Sequence, residues 1–271
     1  QVLEIEPSIV DGKATLGDGA PESADGADVV AVFDHMSFRF DDADEDTLCN
    51  LRFDCRRGQT TAIVGSTGSG KSTVAKLLLR FHDATKGAIR LNGVDLRDLS
   101  QDDIRGRIAY VPQKAWLFSG TVASNLRFGN EDATEADMLH ALEVAQSTFV
   151  LDQPQGLDTP VAQGGTNFSG GQRQRLAIAR ALMKRADLYI FDDSFSALDF
   201  KTDAALRHAL QDETCDAAVL IIAQRISTIL HADQIVVLKD GEVVGLGTHD
   251  ELMETCEVYR AIAESQMKGG E

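Results

Sequence analysis

Short runs of apolar residues, each followed by a longer stretch of mixed polarity, recur along most of the chain. These runs cover 61–64, 108–111, 188–191, 219–223 and 235–238. Runs of this length suit buried strands, and the stretches between them contain helical patterns. Because strands that alternate with helices form parallel sheets covered on both faces, the pattern predicts an α/β fold with a mostly parallel sheet.

Two earlier apolar runs predict an antiparallel pair. The runs 29–40 and 48–55 are alternating or continuous and flank the acidic loop 41–46. From residue 61 the pattern changes to strand, Gly-rich turn and helix, with the helix over 71–81. The sequence therefore predicts an antiparallel β subdomain beside the parallel-sheet core.

Two other segments lack a strand pattern. The stretch 134–182 has helical patterns only, which predicts an α-helical subdomain over about 114–186 inserted into the core. Residues 1–28 are acidic and rich in Gly, Ala, Ser and Asp, which predicts a linker that is mobile towards its 17–28 end. Folded structure is expected to begin at the next residue, and a single domain to cover 29–271.

Composition and charge narrow the function classes. The 271 residues are 43% hydrophobic and 25% charged, an ordinary globular profile. The 43 acidic and 26 basic side chains give a formal charge of −17, which argues against nucleic acid as a partner because phosphate binding depends on Lys and Arg. The longest apolar run, 217–223, is far short of the roughly 20 residues of a transmembrane helix. The absence of an initiator Met and a signal peptide suggests a piece of a longer protein, and the 4 cysteines without a CxxC pair suggest reduced thiols in the cytoplasm.

The segment 65–72 reads GSTGSGKS and fits the phosphate-loop pattern G-x-x-x-x-G-K-[ST]. Glycines allow such a loop to curl so that its backbone N–H groups point at an anion. Lys71 would bring a positive charge to the β- and γ-phosphates, and the Ser72 hydroxyl would ligate Mg²⁺. The residues predicted to bind the nucleotide here are Gly65, Ser66, Thr67, Gly68, Ser69, Gly70, Lys71, Ser72 and Thr73.

Two carboxylates follow the apolar run 188–191. The C-terminal ends of parallel strands are where such sheets bind ligands. Asp192 is therefore predicted to hold Mg²⁺, and Asp193 to face the attacking water. Beside a phosphate loop, this pair indicates nucleotide hydrolysis.

A second glycine segment, FSGGQ at 168–172, opens a helical pattern. Ser169 and Gln172 have the spacing of a capping box, which predicts that a helix begins here. Gly170 and Gly171 at a helix N-terminus would expose N–H groups and the positive end of the helix dipole, which attract anions. The segment is either a simple N-cap or the second half of a composite nucleotide pocket.

These motifs, in this order, resemble the nucleotide-binding domain of an ATP-binding-cassette (ABC) transporter, over about 29–266. The resemblance identifies 65–72 with the Walker A loop, 168–172 with the LSGGQ signature (with Phe in place of Leu) and 188–192 with Walker B. It also implies roles for three further residues: Gln113 in the Q-loop, Asp199 in the D-loop and Phe40 stacking on adenine.

The resemblance points to the exporter branch of the family. The stretches 117–122 and 247–252 are similar to that branch, in which each membrane domain is fused N-terminally to its own ATPase domain. It implies ATP and Mg²⁺ as cofactors, with Ser72, Gln113 and Asp192 as the metal-binding residues. It also implies a place at the cytoplasmic face of the cell membrane, attached through a transmembrane domain of the same full-length chain.

Two residues depart from the family pattern. The family has Glu where this chain has Asp193, and a switch-loop His where this chain has Gln224. Asp is one methylene shorter, and a displacement of about 1 Å can cost on the order of 10²-fold in rate. Gln can donate a hydrogen bond but is never cationic. Since the binding residues are retained, the resemblance implies a hydrolysis-impaired site in one half of a heterodimer.

In that family two such domains close head to tail on two ATP molecules. The resemblance therefore implies that Ser169, Gly170, Gly171 and Gln172 act on the ATP of a second ABC half-transporter. Two alternatives stay open: a non-transport ABC ATPase of DNA maintenance or translation, and an ATP-binding regulatory module without useful hydrolysis. The acidic balance and the short Lys71-to-Asp192 spacing count against the first. An ATPase assay would distinguish the second alternative, a module without useful hydrolysis, from an active ATPase domain.

Overall fold

The computed structural model describes residues 9–16 and 28–268. The strands are β1 (Val29–Phe38), β2 (Leu48–Arg56), β3 (Thr60–Gly65), β4 (Lys86–Leu91), β5 (Val94–Asp95), β6 (Ile108–Val111), β7 (Gly120–Thr121), β8 (Pro160–Val161), β9 (Leu188–Asp192), β10 (Ala218–Ile222), β11 (Gln234–Lys239) and β12 (Glu242–Gly247). The helices are α1 (Lys71–Leu78), α2 (Gln101–Arg107), α3 (Val122–Arg127), α4 (Glu135–Val144), α5 (Gly170–Leu182), α6 (Phe200–Glu213), α7 (Ile226–Ile229), α8 (His249–Thr255) and α9 (Glu257–Lys268).

The central sheet has the strand order β12-β11-β3-β10-β9-β6, and its neighbouring pairs are parallel except β11–β12. The five apolar runs predicted as strands are β3, β6, β9, β10 and β11, so this prediction is confirmed. Along β10, Val219 and Ile221 pack on one face of the sheet, whereas Leu220 and Ile222 pack on the other. A strand that is covered on both faces needs apolar residues at every position, which explains its continuous apolar run.

Two different layers cover the central sheet. One face packs against α1 and a second sheet of order β2-β1-β4-β5, through residues that include Leu220, Leu77 and Phe33. The other face packs against helices that include α5 and α6, through residues that include Ile221 and Leu206. The predicted α/β class with helices on both faces is confirmed, and the antiparallel sheet shares one face with α1.

The antiparallel sheet contains the predicted pair and two strands that the sequence does not predict. β1 pairs antiparallel with β2 and with β4, and β4 pairs with β5. β4 reads KGAIRL, in which Lys, Gly and Arg interrupt the apolar pattern. The helix predicted over 71–81 ends instead at Leu78, because Arg80 has a left-handed φ of 50° that cannot continue a helix.

The predicted helical stretch contains α4 and α5, and α3 and α4 both pack on α5. One expectation is wrong, since β8 lies inside the stretch 134–182 and pairs antiparallel with β7. A strand of two residues shows no alternation that a sequence pattern could reveal. The boundaries of the helical subdomain remain a prediction.

Hydrogen-bonded structure begins before β1, contrary to the expectation from the sequence. In the first described segment, Gly12 N donates to Leu99 O at 3.0 Å, and the Arg80 guanidinium donates to Val10 O at 2.8 Å. These hydrogen bonds join main-chain groups of the segment, which every residue type carries, so the sequence of the segment does not reveal them. The linker assignment remains a prediction, and residues 17–27 lie outside the described part of the chain.

Candidate functional site

The phosphate loop joins the end of β3 to the start of α1, and three of its positions favour glycine. Gly68 and Gly70 have left-handed φ angles of 85° and 94°, which L side chains rarely adopt. A Cβ on Gly70 would lie 2.5 Å from Leu48 Cδ2, and one on Gly65 would lie 2.1 Å from Leu238 O. The loop is therefore tightly curled against β2 and β11, as its glycine spacing predicts.

Lys71 folds back over this loop. Its Nζ donates to Gly65 O at 2.8 Å and to Ser66 O at 2.7 Å. Burial lowers the pKa of Lys71, while the nearby carboxylates of Asp192 and Asp193 act in the opposite direction. A phosphate anion at this position would favour the charged form of the amine in the same way.

The hydroxyl of Ser69 gives a second indication that the loop suits a polar ligand. Ser69 is 3% exposed, and its Oγ has no hydrogen-bond partner among the described residues. Native proteins rarely leave a buried hydroxyl unpaired. A triphosphate in the loop offers acceptor oxygens that this hydroxyl lacks in the protein alone.

Asp192 is the buried carboxylate at the end of β9. Its Oδ1 accepts from Ser72 Oγ at 3.2 Å, and its Oδ2 accepts from Tyr110 OH at 3.3 Å. Burial raises the pKa of Asp192, because a charged carboxylate at 5% exposure loses its hydration. A divalent cation would relieve this penalty.

The donor set around Asp192 fits Mg²⁺. Mg²⁺ prefers oxygen ligands and binds through one or two carboxylates, waters and substrate phosphates. The Ser72 hydroxyl and the Asp192 carboxylate supply such oxygens at hydrogen-bond distance from each other. No cluster of three or more His, Cys, Asp or Glu side chains that could hold a metal occurs in the described residues.

Three loops bring Gln113, Asp193 and Gln224 together at the same edge of the sheet. Asp193 Oδ2 accepts from Gln113 Nε2 at 2.9 Å and from Gln224 Nε2 at 3.0 Å. Asp193 itself has a left-handed φ of 46°, and its N–H donates to Ile222 O at 2.8 Å. Two amides that were predicted from different motifs therefore bind one oxygen of the predicted catalytic carboxylate.

The FSGGQ segment begins α5 with the predicted capping box. Ser169 Oγ accepts from Gln172 N at 3.2 Å, and Gln172 Oε1 accepts from Ser169 N at 2.9 Å. Ser169 and Gly170 are exposed, and a Cβ on Gly170 would meet nothing within 4 Å. The start of this helix is therefore open to a molecule other than this chain.

The two remaining predicted residues, Phe40 and Asp199, also have local structural contacts. The half-buried ring of Phe40 stands edge-on to Phe38 and to His82, with centroids 4.7 and 5.3 Å away. Asp199 is the N-cap of α6 and accepts from Thr202 N at 3.0 Å, a bond that lowers the pKa of its carboxyl group. The geometry permits their predicted roles, which remain predictions.

Tyr110 is a further residue at this site that no motif in the sequence singles out. Its hydroxyl bonds Asp192, and burial raises its pKa above the ordinary value. Tyr110 lies in β6, where an aromatic residue resembles any other core position in the sequence. The signal in the sequence that could have suggested Tyr110 is its position three residues before Gln113. The structure adds that its strand lies beside β9.

Comparisons with known proteins point to one family. A family model described as ABC transporter matches residues 48–196. An uncharacterised ABC transporter ATP-binding protein of Mycobacterium tuberculosis (strain H37Rv) is 46% identical over 258 residues, which cover 93% of this chain and 44% of that protein. An ATP-dependent lipid A-core flippase of Photobacterium profundum is 42% identical over 86% of this chain and 40% of its own length.

The fold agrees with these similarities. The structure of a bacterial Atm1-family ABC exporter with ATP bound matches 98% of this chain and 45% of its own, with a TM-score of 0.90 and 32% sequence identity. The chain thus spans less than half the length of these relatives. Within the described residues, no helix has the length and apolar character needed to cross a bilayer.

Proposed function

Because this chain belongs to the ABC transporter family, we propose that it is the nucleotide-binding domain of an exporter-type transporter. It would bind Mg-ATP, close head to tail on a partner ABC domain, and power the transport of a substrate across a membrane by ATP hydrolysis. The observation that carries this proposal is the meeting of the Lys71 loop, the Ser72–Asp192 pair and the Asp193 cluster at one edge of the sheet.

The curled loop at the start of α1 would bind the triphosphate. Backbone N–H groups at a helix N-terminus attract phosphate oxygens. Lys71 would exchange its present acceptors, the carbonyl oxygens of Gly65 and Ser66, for β- and γ-phosphate oxygens. Phe40 would stack on the adenine, since its ring stands partly exposed at the end of the strand pair.

The Asp192 and Asp193 side chains would have different roles in hydrolysis, one in binding the metal and the other in activating water. Ser72, Asp192 and Gln113 would hold Mg²⁺, which would supply positive charge to offset the negative charge of the phosphates. Asp193 would orient the attacking water and accept its proton. As the water oxygen bonds to the γ-phosphorus, the bond to the β,γ-bridging oxygen breaks and ADP leaves. Gln224 would donate a hydrogen bond to the γ-phosphate.

We also propose that this chain's own site hydrolyses ATP slowly. The Asp193 carboxylate is one methylene shorter than Glu, and its Oδ2 accepts from two amides, so a water must compete for that oxygen. Gln224 offers a neutral donor where the family has a His that can be cationic. The residues for binding are present, so these changes affect hydrolysis more than affinity.

The open N-terminus of α5 would serve the partner's ATP. Ser169, Gly170, Gly171 and Gln172 follow the family signature, and the exposure of Ser169 and Gly170 leaves room for a second chain's nucleotide. Asp199 lies on the exposed start of α6, as a D-loop residue at a domain interface would. An impaired own site beside an intact signature favours a heterodimer over a homodimer.

An exposed aromatic cluster supports a membrane-domain partner. Trp116, Phe118 and Phe128 are 50%, 45% and 63% exposed, and the rings of Phe118 and Phe128 lie 4.6 Å apart. The guanidinium of Arg180 stands 5.5 Å from the Phe118 ring. Exposed apolar clusters of this kind mark interaction sites. We assign this one to the transmembrane domain of the same transporter, which would hold the chain at the cytoplasmic face of the membrane.

Replacing the loop lysine tests ATP binding directly. Lys71→Ala removes the cation over the loop, so the affinity for Mg-ATP should fall at least tenfold, about 1.4 kcal/mol. Isothermal titration calorimetry measures it, with Lys86→Ala, an exposed lysine on β4, as the matched control. Unchanged affinity in Lys71→Ala would contradict the proposed binding site.

A further inference from the structure

Helix α9 is hydrogen-bonded to the loop that contains Gln224. β10 ends at Ile222 and α7 begins at Ile226, so this loop is only a few residues long. Gln266 Nε2 donates to the main-chain oxygen of Gln224 at 2.7 Å, and Ile226 N donates to Gln266 Oε1 at 2.8 Å. One side-chain amide thus bonds the main chain on both sides of Arg225, much as a neighbouring strand would.

Helix α9 is itself fixed to the core. Tyr259 and Ala263, four residues apart, are 0% and 1% exposed, and Gln266 follows three residues later on the same helix face. Tyr259 OH also hydrogen-bonds with His249 Nδ1 at 2.8 Å, which joins α9 to α8. The helix packs on α7 and β11 as well. Gln266 is itself exposed, and it reaches the loop from a helix that is packed on the core.

A short series of bonds connects this helix to the Asp193 carboxylate. Gln266 bonds the main chain of Gln224, whose side chain in turn donates to Asp193 Oδ2 at 3.0 Å. We propose that Gln266 is a positioning residue, which fixes the main chain at 224–226 and thereby sets where residue 224 stands during ATP hydrolysis. This inference rests on the proposed ATPase function.

The effect should fall on the rate and not on the affinity. Without Gln266, the carbonyl of Gln224 and the N–H of Ile226 would bond water instead, and the loop would lose its fixed position. A displacement of about 1 Å near the reacting atoms can cost on the order of 10²-fold in rate. The described hydrogen bonds of Gln266 reach neither Lys71 nor Ser72, so the phosphate loop should bind ATP as before.

The experiment isolates this chain's own site in the full-length transporter. The partner chain carries a substitution of its Walker A lysine, so that only this chain binds Mg-ATP. The single-turnover rate, the Kd for Mg-ATP and the hydrogen exchange of the peptide covering 224–229 are then measured. Gln266→Ala is compared with wild type and with Glu264→Ala, an exposed residue on the same helix.

We expect Gln266→Ala to slow single-turnover hydrolysis at least fivefold, to leave the Kd within twofold and to speed exchange at Ile226. Glu264→Ala should change none of these. Unchanged exchange in Gln266→Ala would show that Gln266 does not fix the main chain at 224–226, which overturns the proposal. Faster exchange with an unchanged rate would overturn the role of Gln266 in hydrolysis. A wild-type site that binds Mg-ATP without any turnover would also overturn that role. Failure of the wild type to bind Mg-ATP would instead contradict the proposed function.

Discussion

The double substitution Asp193→Glu with Gln224→His tests the slow ATP hydrolysis that we propose for this chain's own site. Asp193 Oδ2 lies 2.9 Å from Gln113 Nε2 and 3.0 Å from Gln224 Nε2, so two loops close on this carboxylate. Asp193→Glu extends it by one methylene. Gln224→His replaces one amide donor with a ring that can become cationic.

The expected gain follows from the change in reach. One added methylene moves the carboxylate by about 1 Å or more towards the water, given a C–C bond of about 1.5 Å. A misplacement of about 1 Å costs on the order of 10²-fold, or about 2.7 kcal/mol of activation free energy. With a signature-bearing partner present, the double variant should therefore raise kcat by roughly 10- to 100-fold, while the Kd for Mg-ATP stays within about threefold.

The partner carries a substitution of its Walker A lysine, so that only this chain's own site turns over. Steady-state phosphate release from this transporter gives kcat, and calorimetry gives the Kd. Asp212→Glu, an exposed carboxylate on α6, adds the same methylene far from the chemistry described here and should leave kcat unchanged. A wild-type kcat at this chain's own site already within the roughly 1–10³ s⁻¹ of ordinary enzymes would refute the reasoning. A double variant no faster than wild type would refute it too.

Two further predictions concern the metal carboxylate and the adenine contact. Burial raises the pKa of Asp192, so the folded state favours its protonated form and loses this stability as the pH rises from the unfolded pKa through the folded one. Asp192→Asn should therefore abolish the Mg²⁺ dependence of ATP binding yet raise the unfolding free energy of the nucleotide-free protein. Urea titrations should show a larger difference in unfolding free energy between variant and wild type at pH 7 than at pH 4. A variant less stable than wild type at pH 7 would contradict this. Phe40→Ala should weaken ATP binding about 3- to 10-fold through the lost aromatic stacking, whereas Phe40→Tyr should bind within twofold of wild type; equal affinities by calorimetry would remove Phe40 from the site.

The parts of the fold that sequence patterns predict are those with long apolar runs. β9 and β10 are buried at every position because both faces of the sheet are covered, so their runs are continuous and easy to detect. β4 and β8 leave no such run, since one contains Lys, Gly and Arg and the other has two residues. Their pairing with β1 and β7 depends on main-chain hydrogen bonds, whose carbonyl acceptor every residue carries, including Pro160 of β8.

Residues of the candidate site likewise differ in whether a sequence motif reveals them. Lys71, Ser72 and Asp192 belong to segments with a fixed spacing, so the sequence pattern by itself assigns them to neighbouring elements. Tyr110 and Gln266 reach the site from elements with no motif, and Gln266 does so through main-chain atoms of a residue 42 positions away. Only the folded chain brings such contacts together.

We propose above all that this chain holds ATP at its own Walker A loop and promotes hydrolysis of its partner's ATP. The most direct test compares Asp193→Asn with Ser169→Ala in one membrane preparation of the full-length transporter, by steady-state ATPase activity. Asp193 would act on this chain's own nucleotide, whereas Ser169 begins the helix that would face the partner's γ-phosphate. We expect little change in ATPase activity from Asp193→Asn and a strong loss from Ser169→Ala. A large loss from Asp193→Asn beside a mild one from Ser169→Ala would contradict it and indicate a homodimer in which Asp193 is the working base.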